Sequence, residues 1–145
     1  MRGRSIAYWM ATAFVTCVMA LSGGLALGHA RAFVDGLAHL GYPPYFAYLL
    51  GVGKIAGVAV LLAPRLGRWK EWAYAAFGIV VVSACFSHYE SGDGVLRALE
   101  PLVTGVALGI SYATRPAARR MAENSSSPWT SSAQALHSAP ISSGQ

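Results

Sequence analysis

Charge is what this chain has least of: 12% of its 145 residues are Asp, Glu, Lys or Arg, while 54% are hydrophobic. A soluble domain carries about 25% charged residues, so the composition excludes an ordinary water-soluble globule. Cysteine is also scarce. Cys17 and Cys85 stand alone, without C-x-x-C spacing or a cation beside them in sequence, which excludes a disulfide framework and leaves them as small apolar packing residues. The four histidines, His29, His39, His88 and His137, are scattered. None has metal spacing, and the two helices each offering a central histidine that a membrane haem needs are missing, so neither metal nor haem is expected. There is no Gly-rich phosphate loop after a strand, no nucleophile elbow, no close carboxylate pair in a cleft-forming soluble domain and no strong internal repeat. A self-contained catalytic motif is therefore not visible.

What is present is apolar length. Ser5 to Gly28 has no charge, Tyr42 to Ala63 has only Lys54, Trp72 to Ser87 has none, and Pro101 to Thr114 has none. A bilayer-spanning helix needs about 20 apolar residues rising 1.5 Å each. The first two segments meet this outright; the third does so by taking in His88 and Tyr89, and the fourth by starting near Val95, which brings Glu100 inside the helix. The expectation is an all-α bundle of four transmembrane helices at about 6–28, 44–63, 71–89 and 95–114. A cleaved signal peptide is the alternative for the first segment, but its apolar run of about 24 residues exceeds the usual signal core and favours a permanent helix.

The eleven Lys and Arg residues set the orientation. Arg2 and Arg4 precede the first span, Arg65, Arg68 and Lys70 join the second to the third, and Arg115, Arg119 and Arg120 follow the fourth. Short cytoplasmic loops carry such an excess, so both termini are expected in the cytoplasm and the protein in a bacterial cytoplasmic (inner) membrane, in contact with the lipid bilayer. The net charge of +5 is then a topology and lipid signal, not a nucleic-acid footprint. The membrane domain is expected to fill residues 1–120. From 121 to 145 the chain turns Ser-rich and reads as a disordered cytoplasmic tail.

Lys54 is the residue that asks for an explanation. A charge at that depth costs about 2.5–3.5 kcal/mol on insertion scales, so it must face protein or a wet cavity. On its helix face lie Ala47, Gly51, Gly57 and Val58, all small enough to admit a neighbour. Thr12, Thr16, Met19, Ala20 and Gly23 share a face on the first span, and Arg97, Glu100, Thr104, Ala107 and Ser111 share one on the fourth. Lys54 lies roughly 15 Å and Glu100 roughly 8 Å below the outer boundary, within reach of a snorkelling lysine. A Lys54–Glu100 ion pair is expected, with Ser87 and His88 at its rim. The pair reads equally as a register lock or as part of a ligand or proton site, Glu100 has a local alternative in Arg97, and His88 also reads as an interfacial helix-end residue.

Three spans carry glycines four apart, Gly24 and Gly28, Gly53 and Gly57, and Gly105 and Gly109, the spacing that lets helix backbones approach in lipid. Trp69, Lys70, Glu71 and Trp72 mark the cytoplasmic interface, with Glu71 placed to favour the positive end of a helix dipole.

The runs Leu40-Gly41-Tyr42-Pro43, Leu50-Gly51-Val52-Gly53-Lys54-Ile55-Ala56-Gly57, Leu61-Leu62-Ala63-Pro64, Lys70-Glu71-Trp72-Ala73-Tyr74-Ala75, Ser87-His88, Gly92-Asp93 and Ser111-Tyr112 together resemble the DoxX-like family of small bacterial four-helix membrane proteins. The resemblance covers about Tyr8 to Pro116. It implies an association with membrane redox chemistry, as a subunit of quinone-linked systems, with quinone as the cofactor and a membrane or redox protein as partner. Lys54, Glu71, Ser87 and His88 fall on the family's recurring polar positions. A lipophilic ligand in the outer half of the bundle, met by Lys54 and His88, is one expectation; a non-enzymatic scaffold or assembly factor, alone or as an oligomer, is another, and a small-molecule or proton pathway is a weaker third.

Overall fold

The computed structural model describes residues 2–64 and 66–116. Five helices follow one another: α1 (Arg2–Leu27), α2 (Arg31–His39), α3 (Tyr45–Leu62), α4 (Gly67–Glu90) and α5 (Val95–Thr114). Four of them are long and apolar enough to cross a membrane, and among the described residues there is no strand. The four expected spans are present, with α4 starting four residues earlier than expected. The expected Ser-rich tail, like Arg65, Arg119 and Arg120, lies outside the described residues.

The surface explains why this bundle needs lipid. Leu96 is 84% exposed and Ile79 68% exposed, and Met10, Leu21 and Val82 also point outward. In water so much apolar surface would drive aggregation; in a bilayer it is the ordinary lipid-facing side, while the backbone groups are satisfied inside each helix.

α1 packs on α3 and α5, and α4 packs on α3 and α5, so the order around the bundle is α1, α3, α4, α5. α3 and α5 thus stand at opposite corners. Val15, Met19, Leu61, Ala73, Tyr74, Phe77, Val81 and Leu108 fill the centre. The close approaches are made by glycines. A Cβ on Gly51 would lie 2.8 Å from Leu27 Cγ, one on Gly23 would lie 3.1 Å from Lys54 Cβ, one on Gly57 2.6 Å from the Phe77 ring, and one on Gly105 2.9 Å from Val81. The expected pairing by G-x-x-x-G spacing is only partly the observed one. Gly24, Gly53 and Gly109 have nothing within 4 Å of that position, and Gly28 meets only the Gly24 carbonyl of its own helix. The spacing identifies a helix face without saying whether it meets protein or lipid, and Gly23, next to Gly24, belongs to the buried face.

Helix ends prepare both ends of the bundle. At the end that carries α2, the chain leaves α1, α2 and α4 through left-handed residues, His29 (φ 48°), Gly41 (φ 83°) and Gly92 (φ 68°). In each the next amide reaches back over the turn: Ala30 to Leu25 O (3.0 Å), Tyr42 to Leu37 O (2.9 Å) and Asp93 to His88 O (3.2 Å). At the opposite, basic end, Lys70 is buried and its ammonium donates to Leu61 O (3.0 Å) in the last turn of α3. That carbonyl is one of those a helix leaves open at its C-terminus, where a cation is favoured.

Candidate functional site

Lys54, on the inner side of α3, is half-buried, and its Nζ donates to Ser22 Oγ of α1 at 2.6 Å. The Phe33 ring of α2 lies 5.4 Å from the same nitrogen, within cation–π range. The expected Lys54–Glu100 ion pair is not formed: among the described residues no nitrogen–oxygen contact joins them within 4.0 Å. The physical reason is the order of helices, since α1 lies beside α3 while α5 lies across the bundle, and a short acceptor on the neighbour wins. Glu100 is exposed and remains within electrostatic range of the ammonium. Its backbone carbonyl accepts from Thr104 Oγ1 at 3.0 Å. The alternative pairing with Arg97 does not form either, because Arg97 turns to Asp93 (3.5 Å).

Asp93 is the polar centre of this end. It is the residue after Gly92, and the left-handed cap folds it back over the last turn of α4, where His88 Nδ1 donates to its Oδ2 at 2.6 Å. Oδ1 accepts from His39 Nε2 of α2 at 2.7 Å. The Asp93 side chain is 6% exposed, that of His39 51%. The His88 and His39 hydrogen bonds hold the Asp93 carboxyl below its ordinary range. Ser87, one residue before His88, shares a hydrogen bond with the Tyr42 hydroxyl (2.9 Å), and Tyr42 stacks on Phe46 at 4.8 Å. Ser87 and His88 therefore tie α4 to the α2–α3 connection and to the α4–α5 connection, while Lys54 sits under α2.

The basic end holds a second polar cluster. Ser111 Oγ of α5 lies 2.7 Å from both Thr12 Oγ1 of α1 and the Tyr74 hydroxyl of α4. Thr12, Tyr74 and Ser111 are all buried. Thr16 turns its hydroxyl back onto Thr12 O (2.8 Å). Arg115 is buried and donates to Glu71 Oε1, whose side chain is 38% exposed. Glu71 was expected at the start of its helix, at the positive end of the dipole; since α4 begins at Gly67, Glu71 falls beyond the first turn and answers Arg115 instead. Trp69 and Trp72 face outward on either side. A cavity of about 400 Å³ opens between α4 and α5, lined by Glu71, Tyr74, Ala75, Leu108, Tyr112 and the small Gly105 and Gly109. Among the described residues no three His, Cys, Asp or Glu are placed to hold a metal ion.

Sequence reasoning places Asp93 only beyond the outer rim of the Lys54 cluster, beside Glu90, and misses His39, Ser22, Tyr74 and Arg115 as members of these clusters. The sequence Ser91-Gly92-Asp93 was a usable sign, because a glycine cap after a helix brings the following residue back to the last turn. Arg115 and Lys70 look like topology charges in the sequence, yet both are buried and bonded.

No curated protein and no solved structure matches the chain. A family model does, over residues 10–111, which takes in α3 and α4 whole, most of α1 and α5, and every residue of both clusters except Arg115. On that match, and with four spans in the expected places, the chain belongs to the DoxX-like family of integral membrane proteins.

Proposed function

We propose that this membrane protein is an accessory subunit of a quinone-linked redox system in a bacterial cytoplasmic membrane, with the basic end in the cytoplasm and Lys54 as the group that meets the ligand. One observation carries the reading. An ammonium has three N–H donors, and Lys54 gives one to Ser22. A ring carbonyl is an acceptor that takes another, and the Phe33 ring offers a flat apolar face beside it. His88 and Ser87 then hold the rim rather than bind, since Asp93 and Tyr42 already engage them. Electrons come from a partner protein or leave to one, because the chain supplies no redox centre of its own by sequence motif.

A second reading, a non-enzymatic scaffold or assembly factor, is favoured by the same engagement of His88 and Ser87 and by the Arg115–Glu71 pair, which stiffen the bundle as a surface for another membrane protein. Mass spectrometry of gently purified wild type and Lys54→Met separates the two. The redox reading expects a quinone retained by wild type and lost from a folded Lys54→Met protein. Wild type that holds no lipophilic molecule, with one protein partner retained by both forms, selects the scaffold.

A further inference from the structure

We propose that α2 is a lid over the Lys54 site and that the His39–Asp93 bond is its latch. α2 has little else to hold it. Only Leu37 of its nine residues is buried, and it touches α1 and α3 lightly. Phe33 covers the Lys54 ammonium from one side of this helix, and His39 reaches Asp93 from its end. Both flanks can turn: Gly28 to Ala30 with left-handed His29 before it, and left-handed Gly41 after it. Tyr42, bonded to Ser87, stays pinned on the bundle while α2 lifts.

The latch is built to be opened. Its acceptor is enclosed, hydrogen-bonded by His88 of α4 and ion-paired with Arg97 of α5, so Asp93 keeps its place when His39 leaves. The donor is half exposed, so water replaces the lost bond at once. Two further charges flank His39: the Arg97 guanidinium, which meets the same Asp93 oxygen, and Asp35, one turn back on the same face of α2. With α2 raised, Phe33 no longer covers Lys54 and the polar site opens to the aqueous side; with it closed, the Phe33 ring stands over the ammonium. What the lid admits rests on the ligand reading of Lys54; that it moves does not.

The test needs no ligand. In a Cys17→Ala, Cys85→Ala background, Ser22→Cys places a thiol beside Lys54, and a small water-soluble methanethiosulfonate reagent reports access from the water. Adding His39→Ala is expected to speed modification by about tenfold, the scale of losing one hydrogen bond to a charged group. His39→Gln, which keeps an N–H donor, should return the rate to within about threefold of the parent's. Equal rates in the parent and His39→Ala overturn the lid. Hydrogen exchange of the unmodified protein gives a second arm: α2 amides exchange together and much faster than those of α3, and α2 protection equal to that of α3 also overturns it. Absence of a retained quinone in wild type would instead sink the ligand reading and leave the lid standing.

Discussion

Gly57 and Gly53 are one turn apart on α3 and chemically identical, and they should respond to alanine in opposite directions. A methyl on Gly57 would lie 2.6 Å from Cε1 and Cζ of Phe77, about 0.8 Å short of the 3.4 Å at which ordinary contact begins. Phe77 is enclosed by Val15, Met19, Leu61 and Val81, so its ring cannot swing away without moving the core. Overpacking of this kind costs about 1–3 kcal/mol. Against it stands a gain of up to about 1 kcal/mol from replacing glycine inside a helix, which Gly53→Ala receives without penalty, having no neighbour within 4 Å. Since both substitutions share the helix gain, their difference isolates the contact. Gly57→Ala is expected about 1–3 kcal/mol less stable than Gly53→Ala in reversible detergent unfolding from mixed micelles. If the two unfold within about 0.5 kcal/mol of each other, the α3–α4 approach described here is wrong.

The basic-end hydroxyls should be unequal: Tyr74→Phe removes one bond and leaves Ser111 paired with Thr12, costing about 1 kcal/mol, whereas Ser111→Ala removes two bonds and leaves Thr12 and Tyr74 only each other, costing about 2 kcal/mol in the same unfolding assay. Asp93 fixes a pH dependence. Its carboxyl is depressed in the folded protein, so its contribution is complete above the ordinary carboxylate range and is lost as pH falls through the depressed value. Stability followed from about pH 5 down to about pH 2 should therefore fall more steeply for wild type than for Asp93→Asn, and parallel curves would remove the clamp from the account.

The spans were legible because hydropathy is a one-dimensional signal, and four uncharged stretches of bilayer length admit little else. The azimuth of each helix was half legible. Thr12, Thr16 and Met19 on one span, and Thr104 and Ser111 on another, were read as shared faces and are buried together. Lys54 and Glu100 failed as a pair because depth can be counted along a chain but the order of helices around an axis cannot. In sequence the segment from Gly28 to Tyr42 reads equally as a short lid or as a plain connection, because nine helical residues are too few for a hydropathy window. Its sign was nevertheless there: Arg31, Asp35 and His39 recur every fourth residue, with Phe33 and Leu37 on the other side. The Arg115–Glu71 pair hid behind the positive-inside pattern, in which a basic residue at a span's end already has an explanation.

The Thr12–Ser111 bond joins positions 99 residues apart and belongs to the contact of the first long helix with the last. During synthesis α1 meets α3 early, through Gly23 and Gly51, and α4 follows, but the ring has a missing wall until α5 emerges. Until then Thr12 and Tyr74 lack their shared partner Ser111, and the side of α1 that α5 will cover stays open to the membrane. Assembly is thus closed by the final span, and a chain stopped before α5 presents a polar pair without its third member as a mark by which an unfinished protein differs from a finished one.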